Sequence, residues 1–423
     1  MNFAVIIGSP KGDKSLTMGY VRFSGKKIAG HEFTVHNVAQ RIGRLRNDDS
    51  EMEKIIEDMA TADGVIWSFP LYYCLVAGQM MEFMEMLVER AGDRLKGKLC
   101  ASISTSIHFF DHTAHEYVQA VSEDLGMGFV DFYSPAMMDL FDEDKQPAIL
   151  TFFRDFFAAV ERKAPTQRLY PLVKPSDFVY QPGAFVQKQS TGGKRVVVMG
   201  EIGAGDSNIG KMVKRFADTF DGGVDVLDIS DVEYSGCIGC CECALDNVCK
   251  LKNSDDFFES FESIRDADAI VFAGAVKLRN LSGRWQAFLN RSFYLGHTPV
   301  FLGKQGAALV SGPFSQLQTM QEVLNANIGL MGANNNGIIS DEVDDSAHLD
   351  RLIDDLAMRI AEHLSNDYQK PQLFPTVAGK VIFRDSIYGS LRFPFIKDYQ
   401  FYKAHGMFNF PKPSFQTKLM YIL

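Results

Sequence analysis

No stretch of the 423-residue chain approaches about 18 uninterrupted apolar residues, so a membrane span is not expected. The amino terminus, MNFAVIIGSP, lacks a cationic segment and carries only a short apolar run, so it reads as a buried strand rather than a secretion signal. Positive charge is in deficit, 43 Lys and Arg against 53 Asp and Glu. The net charge of −10 argues against nucleic acid or an anionic membrane as a partner. No nucleophile–base–acid set stands out, which fits chemistry carried by a cofactor. Cysteine is also scarce. There are seven, and only Cys74 and Cys100 lie outside one short stretch.

That stretch is GCIGCCECALDNVC, residues 236–249, which places Cys237, Cys240, Cys243 and Cys249 in one loop. Three thiols two residues apart, with a fourth six positions on, can surround one small inorganic core, and single-loop spacings of this kind recur in iron–sulfur proteins. Structural zinc more often uses two CxxC knuckles with a longer spacer and fits less well; thiols holding no metal are the third reading. Cys241 is an extra thiol that cannot join the same four-ligand set. Clustered cysteines without a secretion signal point to a reducing cytoplasm rather than to disulfides.

The chain repeats itself. NFAVIIGSPKGDKSLT (2–17) and KRVVVMGEIGAGDSNIG (194–210) share one form, with Gly8 matching Gly200 and Ser15 matching Ser207 at an offset of 192 (200 − 8). ADGVIWSFPLYY (62–73) parallels ADAIVFAGAVKL (267–278) at an offset of 205 (268 − 63). The jump in register falls where the cysteine loop lies, so only the second half carries it. Short apolar strands alternate with amphipathic helical segments, which implies a doubly wound parallel α/β sheet in each half. The expected organisation is a first domain over 1–165, a linker over 166–193, a second domain over 194–368 and a carboxyl-terminal wrapping segment over 369–423. The helical pattern stops near residue 370, and the many aromatics beyond it suit a segment covering a domain or a neighbouring subunit.

GSPKGDKSLT (8–17) joins a first strand to a helix and is neither a Walker sequence nor GxGxxG. Its Ser9, Ser15 and Thr17 hydroxyls and backbone N–H groups suit a phosphate dianion, unless the serines merely cap the helix. SFPLYYCLVAGQ (68–79) follows the third strand, where Pro70 stiffens the turn and Tyr72 and Tyr73 offer a face to a planar ring. STSIHFFDHTAHEY (104–117) spaces His108, His112 and His115 along one face of a helix. A metal there is the weaker reading, a partly exposed helix start the stronger, with His108 the nearest proton donor to a ring. The acidic clusters DEDKQ (142–146) and DEVDD (341–345) read as solvated loops.

The loop GSPKGDKS, the P-x-Y loop and the cysteine loop followed by SDDF resemble the NAD(P)H-dependent FMN reductases of the flavodoxin-like fold, and the cysteine spacing is similar to that of the iron–sulfur flavoproteins among them. The resemblance implies two tandem flavodoxin-like domains and an FMN-dependent oxidoreductase. It implies FMN held by Ser9, Lys11, Ser15, Leu16, Thr17, Pro70, Leu71, Tyr72, Tyr73, Ser104 and Thr105, and a [4Fe–4S] cluster on Cys237, Cys240, Cys243 and Cys249. Electrons would come from NAD(P)H or a protein such as ferredoxin, and a homo-oligomer is compatible with the family's habit of dimers and tetramers. Two departures are noted. The second half has Gln286 and Asn290 where the family has Lys and Asp, Ala275 and Lys277 where it has Pro and Tyr, and Glu201 near the phosphate position. The first half keeps both flavin loops but lacks the cysteines and, in QMMEFMEMLVER, the family's Lys and Asp-Arg, so the expectation is that fusion divides the labour of a homodimer, with FMN in the first half facing a cluster in the second. The rival expectation is a non-redox interaction protein on a decayed flavodoxin scaffold.

Overall fold

Each half places its apolar runs where both faces of a sheet need covering. In the computed structural model, which describes residues 1–184, 187–203 and 205–412, β1 (Asn2–Ile7), β2 (Glu32–His36), β3 (Gly64–Tyr72), β4 (Leu75–Val76), β5 (Leu99–Thr105) and β6 (Gly128–Tyr133) form the first sheet. Its order is β2-β1-β3-β5-β6, parallel throughout, with β4 folded back antiparallel on β3. The second sheet, from β7 (Val196–Gly200), β8 (Asp225–Asp228), β9 (Ala269–Ala275), β10 (Gln305–Ser311) and β11 (Asn334–Ser340), has the order β11-β10-β9-β7-β8 and is also parallel. Counted along each half, both are the 2-1-3-4-5 order of flavodoxin-like folds. Successive β1 side chains divide between two cores: Ala4 and Ile6 on one face, Phe3, Val5 and Ile7 on the other.

The halves meet through equivalent helices. Gly78–Ala91 crosses Gly283–Arg291 so closely that a Cβ on Gly78 would strike the Ala287 backbone, and one on Gly283 the Glu82 backbone. These contacts are mirror-related: 283 − 78 and 287 − 82 are both 205, the offset of the duplication. The hydrogen bonds repeat the pattern. Gly78 N–H donates to Asn290 Oδ1 (2.9 Å) and Gly283 N–H to Glu85 Oε1 (2.6 Å), again 205 apart. Residue i meeting j while j meets i is the mark of a twofold interface, here contained in one chain. Asn290, a departure from the family pattern, thus holds the joint.

Residues 165–184 and 187–193 form no helix, and only an isolated bridge pairs Gln189 with Phe220. The segment is nonetheless pinned. Asp124 of the first half accepts from Arg168 and from Arg279 of the second half, and the buried Tyr180 donates its hydroxyl to Asp350 (2.5 Å). Beyond residue 370 the structure corrects the expectation: two helices, Phe374–Tyr388 and Ile396–Ala404, follow. The first escapes sequence periodicity because it buries its surface against both halves at once rather than along one regular stripe, and the second is a short helix held on His297 by Asp398 and Tyr402. Gly379 lets the first of them press on Phe109 of the first half and Leu330 of the second. Residues 413–423 of the expected wrapping segment lie outside the described residues.

Candidate functional site

At the carboxyl ends of the first sheet, where open α/β sheets bind ligands, a cavity of about 1170 Å³ opens between the halves. Ser9, Lys11, Ser15, Leu16, Thr17, Pro70, Leu71, Tyr72, Tyr73 and Thr105 all line it; Ser104 does not. Ser15 Oγ caps the helix Leu16–Lys27 by accepting from Met18 N–H (3.1 Å), and Ser9 Oγ accepts from Lys11 N–H (3.2 Å). Thr17 and Thr105 join their hydroxyls at 2.7 Å, tying the first loop to the end of β5. The ring-side loop is a tight hairpin in which Tyr73 and Cys74 both have left-handed backbone, φ 46° and 65°. That conformation is disfavoured for side chains of this size. It is held by Thr113 Oγ1 on the Cys74 carbonyl (2.6 Å) and, from the second half, by Gln286 Nε2 on the Tyr72 carbonyl (2.9 Å) and by Ser292 Oγ on the Tyr73 hydroxyl (2.9 Å). Gln286, the other helix departure, therefore supports the opposite domain's loop.

Ser104 instead enters a buried network. His115 sits between Ser102 Oγ at Nδ1 (2.6 Å) and Ser104 Oγ at Nε2 (2.9 Å), and Ser104 also reaches Ser134 Oγ (3.1 Å). The three histidines do not share a helical face. The helix begins at Asp111, and His108 precedes it in left-handed backbone, its Nδ1 3.1 Å from Asp111 and its ring outside the cavity lining. Burial lowers the His115 pKa to about 3. The unfolded chain binds a proton near pH 6.5 that the folded chain refuses. Stability from this group is therefore full above pH 6.5 and falls between pH 6.5 and about 3, by about 1.4 kcal/mol per pH unit. Urea midpoints of His115→Phe should fall less steeply over that range than those of the unaltered protein.

The other walls come from residues no local pattern announces. Phe293, Gly296 and His297 stand just past the helix Gly283–Arg291, Leu330 and Met331 end the helix Gln318–Leu330, and the two carboxyl-terminal helices form the roof. His297 is gripped by that roof. Its N–H and Nδ1 both meet the fully buried Asp398 (2.9 and 2.8 Å), and its carbonyl accepts from the Tyr402 hydroxyl (3.1 Å).

All four predicted cysteines, Cys237, Cys240, Cys243 and Cys249, line one small pocket with Tyr72, Arg291, Phe293 and Tyr294. Tyr72 and Phe293 belong to both this pocket and the large cavity, so the two share a wall. Gly239 N–H donates to Cys237 Sγ (3.4 Å), and Gln79 of the first half donates to the Cys237 carbonyl (2.9 Å). Cys241 takes left-handed backbone (φ 60°) and lines both the small pocket and the cavity, with Lys11 Nζ 3.7 Å from its sulfur. Burial pushes the Cys237 thiol up to about 11 and Cys243 up to about 12, so neither is a thiolate at neutral pH unless a metal replaces its proton. Among the described residues no group of three or more His, Cys, Asp or Glu is arranged to hold a metal ion. The donor chemistry of the loop still suits a thiolate-bound core: four thiols, a backbone N–H on sulfur and little room for water.

The equivalent position in the second half is filled from within. The Ile202 and Gly203 N–H groups donate to Asp228 (3.2 and 2.9 Å). Asp341, directly after β11, accepts from Asn208 Nδ2 (2.8 Å), Ser311 Oγ (2.7 Å) and Gly312 N–H (2.7 Å). Asp341 is 2% exposed, so this member of DEVDD is not a solvated charge. Glu201 accepts from Ser282, and the linker covers the loop through Tyr180 N–H on Asn208 (2.9 Å).

Two parallel 2-1-3-4-5 sheets with a shared cavity at the first strand–helix loop and the Tyr73–Cys74 hairpin define a tandem flavodoxin-like protein. The chain belongs to the NADPH-dependent FMN reductase family, whose pattern matches residues 1–134 and 194–337, once in each half. An iron–sulfur flavoprotein of Archaeoglobus fulgidus is 29% identical over 87 residues, 21% of this chain; the chain spans 39% of that relative's length. Among solved structures, an apo NADH:FMN oxidoreductase (EMOB) is 16% identical with a TM-score of 0.33, covering 37% of this chain and 89% of that one. The flavoenzyme NAD(P)H:(acceptor) oxidoreductase FerB of Paracoccus denitrificans is 20% identical with a TM-score of 0.33, covering 38% and 98%. Among the described residues no helix is long and apolar enough to cross a membrane.

Proposed function

We propose that the protein is an NAD(P)H-dependent oxidoreductase with one FMN and one [4Fe–4S] cluster per chain, which passes electrons between them across the joint of its two halves. The observation that carries this is the wall common to the large cavity and the four-cysteine pocket, with Tyr72 on both. When bound, FMN supplies hydride chemistry and the cluster single-electron transfer. Ser9, Lys11, Ser15, Leu16 and Thr17 would hold the FMN phosphate, with Lys11 as the cation, while Pro70, Leu71, Tyr72, Tyr73 and Thr105 border the ring; Ser104 would act behind them by fixing His115. Cys237, Cys240, Cys243 and Cys249 would ligate the cluster, and Cys241, which lines the same pocket and meets Lys11, would be the fifth thiol outside the four-ligand set. A single FMN is expected because Asp228, Asp341 and the linker occupy the second half's cradle, where a phosphate dianion would meet buried carboxylates.

The test is a visible spectrum of anaerobically purified protein with iron, acid-labile sulfide and flavin counted per chain. One flavin and about four irons are expected for one such cluster. Flavin without iron after reconstitution would remove the cluster and leave a simple FMN reductase, two flavins would refute the closed second cradle, and neither chromophore would refute the redox reading. Ser9→Asp places a carboxylate in the phosphate loop. At close range in a partly buried site that repulsion is worth several kcal/mol, so FMN affinity should drop at least about a hundredfold by fluorescence titration.

A further inference from the structure

The cavity is larger than the roughly 300–1,000 Å³ that suits one ligand. Its lining is also unlike the rest of this acidic chain. Among the described residues no aspartate or glutamate lines it, although the chain holds 53 of them, while Lys11, Lys380 and Arg384 do. Lys11 belongs to the phosphate loop. Lys380 and Arg384 belong to the roof helix Phe374–Tyr388, one turn apart and on its cavity side with Val377 and Val381. Arg384 is engaged by Asp385 (2.8 Å) and by the Asn409 carbonyl (3.2 Å). Lys380 is half-buried and makes no hydrogen bond or ion pair with any described residue. Loss of water around it lowers its pKa. A partly dehydrated ammonium that faces no carboxylate among the described residues is stabilised when an anion joins it.

We propose that the roofed part of the cavity is the binding site of the electron-accepting substrate, an apolar organic acid with a conjugated ring that takes up the electron pair supplied by NAD(P)H through the flavin, together with a proton from water, and whose carboxylate pairs with Lys380. The assignment rests on the flavin reading for its role, though not for its chemistry. Phe383, Leu391 and Phe395, which line the same cavity as the lysine, would strip water from ribose hydroxyls without replacing their hydrogen bonds, so a pyridine nucleotide fits this end poorly. Lys380, unpaired among the described residues in a cavity lined by aliphatic and aromatic side chains, matches one carboxylate on an apolar ring-bearing body.

Isothermal titration of the full-length protein with 4-phenylbutyrate and with its neutral amide tests this. The acid should bind at least about tenfold more tightly than the amide, the scale of one charge-assisted contact. Lys380→Met should reduce that preference to within about twofold, and Lys380→Arg should retain it. Equal binding of acid and amide, no heat from the acid at millimolar concentration, or a preference that survives Lys380→Met would each overturn the proposal. So would a Lys380→Met variant that weakens NADPH binding and leaves the acid untouched. Flavin content is read separately from absorbance. Acid preference in a flavin-free protein would keep this site and sink the redox role, whereas bound flavin without acid preference would sink this site alone.

Discussion

Gly283→Leu should part the two halves. The residue it replaces faces the Glu82 backbone and the Gly78 carbonyl, the latter 2.7 Å from where a Cβ would stand. Backbone cannot move aside as a flexible side chain can, and overpacking of this kind costs about 1–3 kcal/mol even where side chains adjust. The joint would also lose both glycine N–H bonds, to Glu85 and Asn290, leaving buried acceptors unpaired. Each half has two cores, with Val323 and Ala326 of the second half joining one of the first half's, so secondary structure by circular dichroism should be largely retained. FMN affinity should drop by about a hundredfold or more, because Gln286 and Ser292 would no longer hold the strained Tyr73–Cys74 hairpin. Undiminished flavin binding would mean that the first half alone makes the site.

Arg291→Met should cost about 3–5 kcal/mol of stability, the usual result of stranding one member of a buried ion pair. Arg291 is 2% exposed and grips Asp255 through Nη1 (2.7 Å) and Nη2 (3.1 Å), with a further bond from Nη1 to the Ser235 carbonyl (2.9 Å) and its guanidinium over the Phe257 ring. Burial alone would raise the Asp255 carboxyl, but the hydrogen bonds from Arg291 outweigh it and hold the group below the usual carboxylate range. Ser235 leads into the cysteine loop and Asp255 leaves it, so the arginine ties the loop's two ends together. Iron content should fall with stability. Adding Asp255→Leu should recover part of the stability, since an apolar pair replaces an orphaned charge, without restoring the iron. Denaturant midpoints and iron counts on the unaltered protein and the two variants read both effects.

Much of this molecule is legible without coordinates. Alternating apolar runs dictate parallel sheets covered on both faces, because a β-strand has a period of two and each face must leave water. Duplication is visible because Gly8 and Gly200, or Asp63 and Asp268, keep their spacing to neighbours. The flavin loops and the four cysteines are short, local patterns, since each depends on backbone turns a few residues long. What the tertiary structure alone decided is everything that depends on two distant segments meeting. Gln286 and Asn290 look like losses from a family pattern until the opposite half's Tyr72 and Gly78 are seen against them. Asp341 reads as a solvated charge until Ser311, Gly312 and Asn208 close on it. The first roof helix buries parts of its surface against both halves and so shows no regular stripe, and Lys380 and His297 join one cavity from 83 residues apart (380 − 297). Local periodicity records which face of an element is dry. It carries no record of which partner dries it, and that partner is what turned a duplicated scaffold into one chain with one asymmetric site.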